Sequence, residues 1–266
     1  MAAASQGVNN NAIINDMSND VYHSSGGISS SAVKTVYKKS LKHWKGQKIT
    51  QSAAFAMGNA VHAHLLEPER NLVIKGPKTK SSTAFKDMKE KLTDDQVLLT
   101  EVEYNVANRI AQGALENPVC EAALKHPDRI NECSIFIKDP TSGLLLKTRP
   151  DLLIESAQTV YDVKTTQDAS PRGFSFECNK YAYLIQSAMY LFICRLVGLD
   201  VNKFAFIACE KSAPYVSHMH FVSPEALEWA TAEMHKTLAV IAEAEDKQDF
   251  GTGWGNVSIL DKPKWL

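Results

Sequence analysis

Short runs in which hydrophobic and polar residues alternate mark the middle of this chain, and they predict β-strands. Each run is rich in β-branched or aromatic residues and is bounded by turn residues such as Pro140 and Gly143. The predicted strands are residues 134–137, 144–154, 159–165, 204–208 and 216–222. The short link 155–158 predicts that the second and third of these strands pair with each other.

Apolar residues recur at helical spacing on both sides of these strands. Three cap signals support the helices: Thr100 at an N-cap, Gly198 as a stop, and Pro224 in a first turn. The predicted helices run from Ser29–Ser31 to about Trp44, Ser52 to Leu66, Thr100 to Leu115, Tyr181 to Val197, and Pro224 to about Ala244. This order predicts an α/β fold with a central mixed β-sheet flanked by helices, and with a helical N-terminal part.

Length and composition predict a single folded domain after a short tail. The chain has 266 residues, of which 44% are hydrophobic, which suits one domain. Residues 1–20, rich in Ala, Asn and Ser, predict a disordered tail. The domain is expected over 21–266, with the helical part at about 29–125 and the strand-bearing core at about 130–245. The Lys-rich segment 75–82 is expected to be a flexible loop.

Two carboxylates and a lysine are expected to meet at the paired second and third strands. Alternation along a strand puts Asp162 and Lys164 on one face, and the strand pairing brings Asp151 close to Asp162. Two adjacent carboxylates repel each other unless a cation or a proton lies between them. Carboxylate oxygens suit Mg²⁺, which can activate water against a phosphodiester. The alternative is a solvated Asp–Lys pair on an exposed strand.

Two helical pairs at i, i+4 spacing add polar groups to this hypothesis. Gly58 and His62 share a helix face, where His62 can be a metal ligand or a phosphate contact. Gln186 and Tyr190 share another face, where an amide can hydrogen-bond a phosphate or base and a phenol ring can stack. The alternatives are a packed core histidine and an apolar helix that tolerates both polar groups at its edge.

Charge is distributed unevenly along the chain. Residues 1–93 carry 13 basic and 6 acidic residues, a charge of +7, which leaves −8 for the rest of a chain whose net charge is −1. Lys34, Lys38 and Lys42 belong to a stretch without acidic residues between Val21 and Leu66. Such a stretch favours contact with phosphates, and its alternative is a solvated Lys-rich helix.

Cysteine usage and hydropathy bear on the compartment. None of the five cysteines has Cys-x-x-Cys spacing, which indicates reduced thiols and argues against a zinc or iron–sulfur site. The sequence shows neither a signal-peptide pattern nor an 18-residue apolar run. A soluble, cytoplasmic protein is therefore expected.

These motifs, in this order, resemble the RecB-type branch of the PD-(D/E)XK nucleases. The motifs are Gly58-x-x-x-His62, Asp151 with Asp162-x-Lys164, and Gln186-x-x-x-Tyr190. The third acidic position is Asp162 rather than Glu, which this branch permits. A finer likeness runs from about Asp20 to Phe221 and resembles the C-terminal nuclease domain of the exonuclease VIII (RecE) type. The segments that carry it are Tyr22-His23, Gly27-Ile28-Ser29, residues 58–69, Arg149-Pro150-Asp151 and residues 162–166.

The resemblance implies a Mg²⁺-dependent exonuclease with two ions per site, for which Mn²⁺ is expected to substitute. It would digest double-stranded DNA from 5′ ends and leave 3′ overhangs. Asp151, Asp162, the Val163 carbonyl and His62 would bind metal, with Glu132 as a less certain ligand. Lys164 would position the attacking water. The residues expected to contact DNA are Gln186, Tyr190, Lys34, Lys38 and Lys42.

The resemblance also implies partners and an origin. Such enzymes are ring-shaped homo-oligomers that thread duplex DNA and act with a single-strand annealing protein in recombination, and a bacterial or phage source is expected. Three alternatives stay open: a structure-selective or restriction-type endonuclease, a helicase-linked or CRISPR-linked RecB-type nuclease, and an inactive DNA-end-binding scaffold. The helicase-linked class commonly carries a cysteine-held cluster, and the sequence has neither clustered cysteines nor a P-loop.

Overall fold

The computed structural model describes residues 11–47, 53–93, 95–257 and 259. The strands are β1 (Asn11–Ile14), β2 (Ile28–Ser29), β3 (Val73–Lys75), β4 (Val97–Leu99), β5 (Ile130–Asn131), β6 (Ser134–Lys138), β7 (Leu145–Thr148), β8 (Leu152–Ile154), β9 (Thr159–Thr166), β10 (Lys203–Glu210) and β11 (Ser217–Phe221). The helices are α1 (Asn19–Ser24), α2 (Ser30–Lys38), α3 (Leu41–Lys45), α4 (Ala53–Leu66), α5 (Thr83–Lys89), α6 (Glu101–Glu116), α7 (Pro118–Leu124), α8 (Pro171–Tyr181), α9 (Tyr183–Leu196) and α10 (Pro224–Lys247).

A five-stranded sheet in the order β11-β10-β9-β8-β5 carries the site. Its central pair, β9 and β10, is parallel, while β8 pairs with β9, and β11 with β10, in antiparallel fashion. A four-stranded sheet, β1-β6-β7-β2, and a two-stranded sheet, β3-β4, complete the strands. The mixed α/β architecture predicted from the sequence is thus confirmed.

Both faces of the five-stranded sheet are buried. On one face Phe204 and Phe206 pack with residues of α2, α9 and α10 in one hydrophobic cluster. On the other face Ala205 and Ile207 pack with residues of α4, α6 and α7 in a second cluster. Side chains alternate between the faces along each strand, so β10 shows a continuous apolar run because each of its faces is covered by helices.

The predicted strand 144–154 is in fact two strands in different sheets. β7 pairs with β6, whereas β8 pairs with β9, and Leu152 lies opposite Tyr161. Arg149, Pro150 and Asp151 link the two strands. Proline has no amide hydrogen and restricts the residue before it, so the chain leaves one sheet here and enters the other. The predicted pairing with the third strand is correct for β8.

Two helix predictions need correction, and helix α8 was missed. The helix predicted to reach Trp44 breaks at Lys39, and Ser40, whose Oγ accepts a hydrogen bond from the His43 amide at 3.2 Å, caps a separate α3. Helix α9 begins at Tyr183 rather than Tyr181, after Ala182 in the left-handed conformation. Helix α8 was not predicted, although Ser170 before Pro171 is an N-cap signal. Residues 1–10, Lys48 and the expected helix start at Ser52 lie outside the described residues.

The prediction of a disordered tail over residues 1–20 is wrong for residues 11–20. Strand β1 pairs antiparallel with β6, so that Ile13 lies opposite Ile135, and α1 begins at Asn19. A strand partner more than 120 residues away supplies the hydrogen bonds that a short Asn-rich segment cannot provide for itself. That pairing leaves no trace in the local composition.

Two buried cations hold this N-terminal segment against the core. Lys147 donates to the carbonyl oxygens of Tyr22 at 2.8 Å and Ser25 at 2.6 Å, near the C-terminal end of α1, where carbonyls lack helical partners. Arg149 donates to Ser134 Oγ at 3.0 Å, to Asn19 Oδ1 at 2.8 Å and to the Met17 carbonyl. The Tyr22 ring lies 4.9 Å from each of the two cationic groups.

We expect Arg149→Ala to lower the free energy of unfolding by about 3 kcal/mol, because it removes a buried cation that donates to Ser134, Asn19 and Met17. Arg149→Lys should restore little of this, since an ammonium cannot reproduce the planar fork of donors. Urea unfolding measures the loss, and Lys138→Ala, at an exposed position on β6, is the control. Equal midpoints for Arg149→Ala and Lys138→Ala would contradict the anchoring role.

Candidate active site

The site lies where strand β8 begins beside β9. Leu152 and Tyr161 form the last residue pair between the two strands, and Asp151 and Asp162 are the residues that follow this pair. Beyond this point β9 has no β8 residue opposite it, so the backbone amide and carbonyl of Val163 are contacted by side chains. The Val163 amide donates to Asp151 Oδ2 at 2.6 Å, and His62 Nε2 lies 2.9 Å from the Val163 carbonyl oxygen.

Asp162 and Lys164 form a buried ion pair on the sheet face that packs against α2 and α9. Lys164 Nζ contacts Asp162 Oδ2, and Asp162 is only 1% exposed. Asp162 Oδ1 accepts a hydrogen bond from Gln186 Nε2 at 2.6 Å. Asp162 Oδ2 is buried and makes no hydrogen bond to any described residue. A buried carboxylate oxygen that has only an ion-pair partner is suited to accept a further cation.

A second group of potential ligands adjoins this pair. One ligand atom each from His62, Glu132 and Asp151 lies within 4.8 Å of the others, and His62 Nδ1 is 3.5 Å from Asp151 Oδ2. Glu132 has a left-handed backbone with φ of 51°, and its amide donates to the Asp151 carbonyl at 3.2 Å. Two carboxylates, an imidazole and a neighbouring carbonyl fit a divalent ion such as Mg²⁺ or Mn²⁺.

Two carboxyl groups of this site, those of Asp151 and Glu132, resist ionisation when no metal is bound. Burial, together with the charge of Asp162, raises the pKa of Asp151 to about 6, although His62 and Lys164 act in the opposite direction. Burial and the neighbouring Asp151 raise the pKa of Glu132 well above its ordinary value. Clustered acids whose pKa values are raised in this way are typical of metal and catalytic sites.

The two residues predicted to hold the DNA strand are directed inward. Gln186 is 3% exposed and connects Lys34 to Asp162, since its Oε1 accepts from Lys34 Nζ at 2.8 Å while its Nε2 donates to Asp162. Tyr190 is half-buried, and burial raises the pKa of its phenol well above the usual range. Both polar ends of Gln186 are occupied, so a direct contact with DNA would require these hydrogen bonds to break.

The three predicted DNA-contacting lysines occupy different environments. Lys34 is half-buried within the site, and burial together with the nearby charge of Lys164 lowers the pKa of its ammonium to about 7. Lys38 and Lys42 are exposed on α2 and α3, and Lys38 Nζ lies 3.2 Å from the Asn179 carbonyl oxygen. Lys38 and Lys42 thus present positive charge to solvent, whereas Lys34 belongs to the buried network.

Sequence reasoning overlooked Tyr183. The centroid of its ring lies 5.4 Å from Lys34 Nζ and 5.0 Å from Lys164 Nζ, so both ammonium groups lie near the same aromatic ring. The aromatic residues Tyr181 and Tyr183 at the start of the apolar helix were visible in the sequence. Their position beside Lys164 depends on the packing of α9 against the sheet.

Comparisons with known proteins agree with the fold. A crystal structure from Eubacterium rectale, of a protein that carries the provisional name exonuclease, aligns with a TM-score of 0.64 and 16% identity over 93% of this chain and 96% of that one. The likeness shows that the two proteins share a fold. Residues 29–263 match the family described as a PDDEXK-like domain of unknown function (DUF3799), and the chain belongs to that family.

Two further comparisons add no argument. A crystal structure of the protein SSO0001 aligns with a TM-score of 0.32 and 13% identity over 70% of this chain and 85% of that one. A search of curated proteins finds no match.

Within the described residues, no helix is both long enough and apolar enough to cross a membrane.

Metal binding should stabilise the protein more at pH 8 than at pH 5. The folded state raises the pKa of Asp151 from 3.8 to about 6, so without metal this carboxyl favours folding below about pH 4, and the contribution is lost as pH rises through about 6. A divalent cation offsets the repulsion that appears above pH 6. Thermal unfolding with and without MgCl₂ at both pH values measures the effect.

The matched variant for this prediction is Asp151→Asn. It removes the ionisable group, so the metal-free variant should unfold at a higher temperature than the wild type at pH 8 and should gain less from MgCl₂. Equal gains from MgCl₂ at both pH values in the wild type would contradict the prediction.

Proposed function

We propose that this protein is a divalent-metal-dependent exonuclease of the RecE type, which digests double-stranded DNA from 5′ ends and leaves 3′ overhangs. The observation that supports it most directly is the convergence of Asp151, Asp162 and Lys164 at one end of the β8–β9 pair, beside His62 and Glu132. Nuclease activity is the coarser conclusion, which family membership and fold support. The polarity and the duplex substrate rest on the resemblance.

The proposed reaction is hydrolysis of a phosphodiester. A water oxygen attacks phosphorus and loses a proton, the bond from phosphorus to the leaving oxygen breaks, and that oxygen gains a proton. Lys164 lies beside Asp162, where its ammonium can orient the water and stabilise negative charge on the phosphate. Gln186 Nε2 donates to the other oxygen of the Asp162 carboxylate, Oδ1, and so helps to hold the carboxylate in place.

The residues proposed to hold two divalent ions are Asp151, Asp162, the Val163 carbonyl, His62 and Glu132. When bound there, Mg²⁺ or Mn²⁺ would supply an activated water and would offset the negative charge of the reacting phosphate. Because the pKa values of Asp151 and Glu132 are raised, protons compete with metal for these two carboxyl groups as the pH falls. Glu132 is the less certain ligand of this set. Arg149 Nε lies 3.8 Å from Glu132 Oε2 and can orient this carboxylate.

The proposal extends to partners. The resemblance to RecE-type enzymes implies a ring-shaped homo-oligomer that encloses duplex DNA. The ring would pass the resulting 3′ strand to a single-strand annealing protein for recombination. The exposed Lys38 and Lys42 would face the DNA backbone. A cytoplasmic location in a bacterial cell, in a protein of bacterial or phage origin, is part of the same proposal.

Lys164→Ala and Asp162→Ala are each expected to reduce cleavage of linear duplex DNA by about 100-fold or more, because each removes a group that acts on the reacting phosphate. The assay follows release of 5′ and 3′ labels from linear duplex with MgCl₂, and EDTA should stop it. Lys138→Ala is the control, and thermal unfolding verifies that the variants fold. The 5′ label should leave first.

Three outcomes would contradict the proposal. Wild-type rates in either variant would remove the catalytic assignment. Cutting of closed circular duplex would indicate an endonuclease on the same fold. DNA binding by the wild type without metal-dependent nucleotide release would indicate an end-binding scaffold.

Charge reversal on the lysine-bearing helices should weaken DNA binding and flatten its dependence on salt. Lys38→Glu, Lys39→Glu and Lys42→Glu together remove three exposed cations, so the slope of log K against log salt should fall by about 3. Binding is measured without divalent metal to prevent cleavage. The control variant reverses Lys89, Lys138 and Lys203, and an equal slope in both triple variants would reject a DNA-facing role for α2 and α3.

A further inference from the structure

Two stacked tyrosines lead from solvent to the candidate active site. Tyr181 is the last residue of α8 and Tyr183 the first of α9. Their ring centroids are 5.5 Å apart, and the ring planes differ by 29°. Ala182 between them has a left-handed backbone with φ of 52°, so the chain turns sharply and brings the two rings together.

The inner ring is fixed by the protein. Tyr183 packs at 5.6 Å from the Phe206 ring and 6.1 Å from the Phe174 ring. Its ring is also near the ammonium groups of Lys34 and Lys164. Lys164 pairs with Asp162 and is the residue proposed to act on the scissile phosphate. Tyr183 therefore lies directly beside the proposed catalytic lysine.

The outer ring is largely open to solvent. Tyr181 is 45% exposed, and the ammonium of Lys180 lies 5.1 Å from its centroid. One face is stacked against Tyr183, so the exposed area of the ring serves no packing role within the described residues.

An aromatic ring beside cations, close to a phosphate-processing site, matches the chemistry of an unpaired nucleobase. Bases stack on aromatic side chains whatever their sequence, while basic groups hold the phosphates between them. A base within a duplex has neighbours on both faces, so a stacking platform selects a base at a frayed end or in a single strand.

We propose that Tyr181 is the stacking platform for an unpaired base of the strand being cut, with Tyr183 as its fixed support. This inference rests on the proposed nuclease function and adds a specificity determinant to it. The platform would hold the strand end open beside Lys164, and it would make the affinity depend on a base rather than on phosphates alone.

The test measures DNA affinity after removal of the Tyr181 ring, after removal of the base at the strand end, and after removal of both. Binding of a fluorescent duplex with a short single-stranded end is measured without divalent metal, using normal ends and ends that carry abasic sites. Tyr181→Ala should weaken binding of the normal end by about five-fold or more, and Tyr181→Phe and Tyr181→Trp should retain it. Abasic ends should weaken wild-type binding to a similar extent, with little further loss in Tyr181→Ala.

The matched control is Phe221→Ala. Phe221 is 57% exposed and lies opposite Ala205 in the β10–β11 register, on the sheet face away from Phe206. This variant should bind both ends as the wild type does. Equal binding of the normal end by Tyr181→Ala and wild type would overturn the proposal, as would independent, additive losses from the ring and the base.

The same proteins separate this inference from the proposed function. Base-dependent binding that requires Tyr181, in a wild type that leaves labelled DNA intact with MgCl₂, would support the platform and overturn the exonuclease proposal. The opposite result is metal-dependent digestion by the wild type, with DNA affinities that change neither in Tyr181→Ala nor with abasic ends. This result would support the exonuclease proposal and overturn the platform.

Discussion

The repulsion between buried carboxylates at one end of the β8–β9 pair is the constraint around which the surrounding structure is arranged. Asp151, Asp162 and Glu132 gather where the strand pairing stops, and burial raises the pKa values of Asp151 and Glu132. The Val163 amide donates to Asp151, while the Lys164 ammonium and the Gln186 amide supply a positive charge and a hydrogen-bond donor to Asp162. An arrangement with this cost in free energy is typical of a site that binds cations.

The fold supports this arrangement from both faces of the sheet. Helix α4 brings His62 to the Val163 carbonyl, while α9 and α2 bring Gln186 and Lys34 to the opposite face. The sheet is buried on both faces, so these helices have little freedom to move apart. Interiors of this kind are close-packed, and a rigid framework holds reacting groups in place better than loops do.

The N-terminal segment is joined to the same region through β7 and the residues after it. Lys147 and Arg149 hold the stretch around Tyr22, and Arg149 also lies near Glu132. The Arg149-Pro150-Asp151 sequence thus combines an anchor, a change of sheet and a candidate metal ligand in three consecutive residues. Changes to the anchor are therefore expected to affect stability first, and the site through Glu132.

The sequence by itself determined the elements whose signals are local. The alternation in β9, the apolar run in β10, the Thr100 cap of α6 and the close approach of Asp151 to Asp162 follow from side-chain periodicity and a short connection. Only the tertiary structure decided the pairing of β1 with β6, the inward direction of Gln186, the burial of Lys34 and the place of Tyr183 beside Lys164. These features join residues that are far apart in the chain, and local propensity carries no information about a partner that distant.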